Sequence, residues 1–154
     1  MMRPALASPP NFPQAGHMSD ENPKAPPGWV LQTAKEVFSH HAGPFYFRAE
    51  GPTPGIAFYS EPRHANIQGV LHGGILLTLA DMSLFDIARR KFGRIRGFTL
   101  TLNSEFVNPG RIGVFIEASG EVTGGGKSII FARGLVASEG ETLMTYSGSL
   151  RRFE

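Results

Sequence analysis

The sequence predicts an α+β domain in which one curved antiparallel sheet wraps a single buried helix. Two observations carry this. Between Gly74 and about Lys91 there is neither Pro nor Gly, and apolar residues cover nearly every side of the helix that this run would form. From Phe98 onward the apolar period drops from about 3.6 residues to 2, the repeat of a strand with one face covered.

Taken in order, residues 1–27 are expected to be a disordered leader. Pro4, Pro9, Pro10, Pro13, Pro23, Pro26 and Pro27 remove backbone donors, and little there repays the entropy of ordering. The domain is therefore expected to span 28–154. Trp29, Ala34, Val37 and Phe38 are spaced near 3.6 and predict a short amphipathic helix. Two short β-type runs follow, PFYFRAE and GIAFYSE, split by Gly51-Pro52-Thr53-Pro54. The central helix is stopped by Gly93, and Arg89, Arg90 and Lys91 suit the negative end of its dipole. At about 1.5 Å per residue it is roughly 25 Å long, too short to span a membrane.

Phe98, Leu100, Leu102 and Phe106 then alternate with polar residues, as do Ile112, Val114, Ile116 and Ala118, before KSIIFARGLVAS and ETLMTYSGSLRR. Asn108-Pro109-Gly110, Gly124-Gly125-Gly126 and Glu139-Gly140 mark the turns between these four strands. Short connections make the sheet antiparallel. Gly134 and Gly148 fall inside strands, where glycine weakens pairing, so another element is expected to approach them closely.

The chain has 154 residues, 41% hydrophobic and 18% charged, which is one globular domain. Its zero cysteines exclude a disulfide framework, a thiolate zinc site and a cysteine nucleophile, and fit a cytoplasmic address. A net charge of +2 without a long basic run gives no case for nucleic-acid or membrane binding. The N-terminus lacks the apolar stretch of a secretory signal.

Within the central helix only Thr78, Asp81, Ser83 and Asp86 are uncharged-polar or acidic before its basic end. Asp81, amid Leu79, Ala80 and Met82, is costly to bury unless paired or hydrogen-bonded. Asp86 lies nearer the exposed end of the helix and calls for less explanation. His72-Gly73-Gly74 stands at the helix start, where unpaired N–H groups and the dipole favour negative charge. Two glycines let a ligand carbonyl come close to the backbone, as in an oxyanion hole; a tight strand-to-helix turn explains the same pair structurally. Eight residues separate Gly73 from Asp81, about 12 Å along one helix, so both cannot act on one carbonyl carbon from a single helix. If both are catalytic, two helices must lie antiparallel in a dimer.

The pattern Asn66-x-x-Gly69-x-x-His72-Gly73-Gly74-x-x-x-x-Leu79-Ala80-Asp81 resembles the signature of the PaaI-like (THEM2-like) hotdog thioesterases, and the resemblance covers roughly residues 28–153. It implies the hotdog fold, acyl-CoA as substrate, no metal or redox cofactor, and a homodimer, often paired into a tetramer, with its sites at the interface. It further implies that the Gly73 N–H polarises the thioester carbonyl and that Asp81 is general base or nucleophile. By the same resemblance Asn66 positions substrate or water, His72 supports the thioester end, and Gly74 and Gly69 contact substrate. Thr99 stands where some relatives carry a serine that orients the attacking water.

Other patterns carry less. Gly124-Gly125-Gly126-Lys127-Ser128 mimics the end of a phosphate loop, but Glu121 occupies the place of its first glycine and a strand follows, so it reads as a hairpin turn. His40 and His41 are adjacent and point apart on a helix, a poor metal pair. There is no Gly-x-Ser-x-Gly elbow. Arg89, Arg90, Lys91, Arg94 and Arg96 could meet CoA phosphates or simply solvate the helix end. The rival readings are a hotdog hydratase or dehydratase, whose His–acid pair is missing, and a non-catalytic acyl-CoA binder. Met82, Phe85, Phe98 and Phe106 could line an acyl pocket or belong to the core.

Overall fold

The computed structural model describes residues 25–33 and 37–153. Almost all of the expected leader therefore lies outside the described residues. The first ordered pairing is strand β1 (Trp29–Leu31), followed by helix α1 (Val37–Ala42), β2 (Phe45–Arg48) and β3 (Gly55–Tyr59). A single turn at Pro62–His64 leads to the long helix α2 (Gly73–Phe92), and then come β4 (Arg96–Phe106), β5 (Phe115–Gly125), β6 (Ile129–Ser138) and β7 (Glu141–Phe153).

All pairings are antiparallel, in the order β1-β2-β3-β5-β6-β7-β4. One helix lies in the hollow of this one sheet, which is the hotdog fold. On its inner face α2 packs Leu79, Leu84 and Ile87 against Ile56, Phe58, Ile116, Ile130, Val136 and Leu150. Fully burying an aliphatic side chain of this size contributes about 1.5–3 kcal/mol. Gly148 in β7 behaves as expected: a Cβ there would stand 2.6 Å from Leu84 Cδ1. At Gly134 the close neighbours are the Ser119 carbonyl and the Tyr146 side chain of the two adjacent strands rather than the helix.

Four expectations are corrected. The stretch beginning at Trp29 is not helical from its start: Trp29, Val30 and Leu31 pair with Arg48, Phe47 and Tyr46. Trp29 stands edge-on to Phe115 at 5.2 Å, with Arg48 over its ring at 4.9 Å. That cross-strand packing outweighs the helical spacing. Among the described residues of this stretch Val37–Ala42 are helical; Val37 and Phe38 face outward and Ser39 is the buried residue. Ala34 lies outside the described residues.

Next, Asn108-Pro109-Gly110 is not a hairpin turn. β4 pairs with β7 at the sheet edge, and the segment 107–114 crosses to β5, tied by Val107 N–H to Leu143 O (2.8 Å) and by Leu71 N–H to Gly110 O (2.9 Å). Third, α2 is not buried all round. Its flank of Ile75, Leu77, Thr78, Asp81, Met82 and Phe85 is only half-covered. Lastly, Asp86 is the fully enclosed acid of this helix, with 0% of its side chain exposed.

Candidate functional site

The helix start is built by the loop that precedes it. His64 is buried edge-on to Phe58 at 5.1 Å, accepts from Glu61 N–H on Nδ1 (3.0 Å) and joins Ala42 O through Nε2 (3.0 Å). Burial, helped by the neighbouring Arg63 charge, holds its pKa below the ordinary histidine value, while Glu61 and the Ala42 carbonyl pull the other way. His72 N–H returns to the His64 backbone carbonyl (2.8 Å), so His64 holds Glu61 and Ala42 with its ring and the helix start with its backbone. Within it Asn66 Oδ1 accepts from Gln68 N–H (2.8 Å) and Val70 N–H (3.4 Å), leaving the Asn66 amide nitrogen as a donor. Gly69, at φ 79°, closes this turn on the exposed side.

His72 is the N-cap of α2, and its Nδ1 accepts from Gly74 N–H at 2.8 Å. Ile75 N–H goes to His72 O (3.1 Å). Gly73, the first helical residue, has a backbone N–H without an intrahelical acceptor, and it is the donor the helix dipole leaves for an anion or a polarised carbonyl. The two glycines therefore differ. The Gly74 donor is already used, whereas Gly73 lies against Phe106, whose Cζ would be 2.9 Å from any Cβ there. Asn66, Gly73 and Phe106 border one hollow of about 380 Å³; Gly69 is not among its lining residues.

Asp81 sits two turns further on, half-buried on the open flank of α2. The Thr99 hydroxyl donates to its Oδ1 at 2.6 Å. Thr99 can do so because β4 carries a bulge between Thr99 and Thr101 in its pairing with β7. A bulge re-aims the strand locally. Thr99 faces the helix while Leu100, 45% exposed, turns out. Two hollows meet at Asp81. One of about 310 Å³ runs toward the helix start past Thr78 and Gly74, with Phe38, Ser39 and Leu102 around it. The other, about 340 Å³, runs toward the C-terminal end past Met82 and Phe85. Phe98 belongs to neither: it lies on the outer face against Phe153, centroids 5.6 Å apart.

Sequence reasoning missed Asp86. It accepts from Gly55 N–H (3.0 Å) and from Arg89 (2.6 Å), tying the start of β3 to the helix. Its i,i+3 spacing to Arg89 was the available signal. Arg90 is also committed, to the carbonyls of Arg48 and Gly51, so the basic group at the helix end is not wholly free for a ligand. No cluster of three metal-ligating side chains occurs among the described residues.

Comparison with known proteins follows the same lines. The model of the thioesterase superfamily matches residues 68–145, which include His72, Gly73, Asp81 and Thr99. No curated protein matches the chain. Among solved structures, a mutant of the phenylacetic acid degradation protein PaaI from Thermus thermophilus superposes with a TM-score of 0.67 at 20% identity, over 77% of this chain and 100% of that one. Zebra fish thioesterase superfamily member 2 gives 0.61 at 24% identity, over 71% and 81%. A Bacillus halodurans protein solved with CoA gives 0.59 at 28% identity, over 64% and 66%. The helix start, the threonine-held acid and a family match spanning both lead to one conclusion: this chain belongs to the thioesterase superfamily.

Proposed function

We propose that the chain hydrolyses acyl-CoA thioesters to a free acid and CoA at a site shared between two copies. The observation that carries this reading is the Thr99–Asp81 hydrogen bond of 2.6 Å, on a helix flank left half-open where two hollows meet. With Oδ1 held by the threonine, Oδ2 is free to take a proton from water. The matching donor, Gly73 N–H, lies about 12 Å away along the same helix. A second α2 running antiparallel brings the Gly73 end of one copy to the Asp81 of the other, which makes a homodimer the minimal active unit and allows a tetramer of two such pairs.

The chemistry then balances without a metal or redox cofactor. The water oxygen bonds to the thioester carbon as its proton passes to Asp81. The carbonyl electron pair moves onto oxygen, where Gly73 N–H holds the charge, assisted by the Asn66 amide. Collapse restores the C=O bond, breaks the C–S bond and expels the CoA thiolate, which takes the proton from Asp81. His72, its Nδ1 accepting from Gly74 N–H, braces the helix start and supports the thioester end of the substrate. Donors preorganised at a developing oxyanion are typically worth about 2.7–4 kcal/mol each. The Bacillus halodurans relative solved with CoA supports CoA as the carried group.

The test is thiol release from a panel of acyl-CoAs. Asp81→Asn is expected to lower turnover at least about a hundredfold while circular dichroism and oligomeric state stay unchanged. Full turnover in that variant overturns the assignment. Binding without thiol release by the unaltered protein supports the acyl-CoA binder instead.

A further inference from the structure

We infer that the Asp86–Arg89 ion pair is the length stop of the acyl pocket, so that the chain acts on short and medium acyl groups and rejects long ones. This rests on the acyl-CoA hydrolase reading above. The pocket is the hollow of about 340 Å³ that leads from Asp81 toward the C-terminal end of α2. Phe47, Met82, Phe85 and Ile95 give it apolar walls, with Gln32 beside them; the hollow toward the helix start has Phe38, Leu77, Met82 and Leu102 beside Ser39 and Thr78. In the antiparallel pair proposed above the Gly73–Asp81 stretches of the two copies face each other, so the second helix lies over the hollow along Gly74 and Thr78, and an acyl group leaving a carbonyl at Asp81 turns toward Phe85. Inside such walls each added methylene is worth about a fourfold gain in binding or kcat/KM.

That gain ends at a fixed polar wall. Asp86 and Arg89 both line the hollow, joined at 2.6 Å. The carboxylate is fully buried and also accepts from Gly55 N–H at 3.0 Å, so it cannot swing aside without stranding a buried donor. The guanidinium lies over the Phe47 ring, 5.4 Å from its centroid, which fixes it across the end of the hollow. From Asp81 to Arg89 is eight residues of helix, about 12 Å. A chain longer than that run must press apolar carbon against an ion pair, stripping its water, or turn out into solvent.

The experiment is a ladder of straight-chain acyl-CoAs from acetyl to hexadecanoyl, read as kcat/KM. The unaltered protein is expected to rise with length to a maximum among medium chains and then to fall at least tenfold by hexadecanoyl. Arg89→Ala is expected to move the maximum to longer chains and to raise the hexadecanoyl-to-hexanoyl ratio at least tenfold. Arg89→Lys, which keeps a cation there, retains more of the cut-off. Phe85→Trp narrows this hollow and not its neighbour, without removing the ion pair, and is expected to move the maximum to shorter chains. An unmoved maximum in Arg89→Ala, or in Phe85→Trp should the first variant not fold, overturns the stop while leaving the hydrolase reading intact. Thiol release from none of the ladder overturns both.

Discussion

Two carboxylates five residues apart on α2 have opposite surroundings. Asp86 is enclosed, with a backbone N–H and a guanidinium on its two oxygens, and it ties the start of β3 to the helix. Asp81 is half-buried, holds one hydroxyl on one oxygen, and faces two hollows. A satisfied acid stabilises the fold; an acid with a spare lone pair and open space beside it can accept a proton. The difference between them comes from the sheet. Asp86 points at β3, where a backbone donor awaits it, while Asp81 points at a bulged edge strand that offers only a side chain.

Substitutions can break this contrast, beginning with the largest effect. Asp81→Asn should cost at least about a hundredfold in turnover and little stability, since a half-open site tolerates an amide; equal losses in both would erase the distinction. Asp86→Ala should do the reverse. Stranding a buried donor and an ion-pair partner is expected to lower unfolding free energy by about 2–3 kcal/mol in urea titration. Thr99→Val removes the hydroxyl donated to the proposed catalytic acid and should lower kcat about tenfold, the low end for a bond to a charged group, whereas Thr99→Ser should restore most of it.

The smallest effect is one of pH at the loop that carries Asn66. His64 is held neutral by burial, so the unfolded chain binds its proton more readily than the folded one. Stability is therefore insensitive to this group above the ordinary histidine value of about 6.5 and is lost as pH falls through and below it. The melting temperature of the unaltered protein should drop between neutral pH and pH ~5, and His64→Gln should flatten that dependence. A dependence unchanged by the substitution would show that His64 does not anchor the loop.

Much of this was legible in the sequence because it depended on local spacing. The central helix announced itself by an uninterrupted apolar run, and the last strands by alternation around glycine turns. The helix-start glycines and Asp81 stood out by motif, and Thr99 by the resemblance of its strand to that of the family, and the fold brings Thr99 and Asp81 into contact. What was not legible depended on partners distant in the chain. Trp29 has helical spacing to Val37, but β2 and Phe115 claim it for a strand. Asp86 seemed an end-of-helix acid until Gly55, thirty-one residues away, supplied its donor. The split between Gly73 and Gly74 hung on which way the His72 ring turned. The edge position of β4 followed from long-range pairing with β7 that the short connection before β5 concealed.

The central claim is that one site draws its acid from one copy and its helix-start donor from another, and subunit mixing tests it most directly. Asp81→Asn and Gly73→Pro, which deletes the N1 donor where proline suits a helix and requires only the tip of the Phe106 ring to shift, are each expected to be inactive alone. Unfolded and refolded together, they should regain about a quarter of unaltered thiol release: half of the dimers are mixed, and each mixed dimer holds one site with both groups intact. Activity of the mixture no greater than the sum of the two separate variants would contradict the shared site.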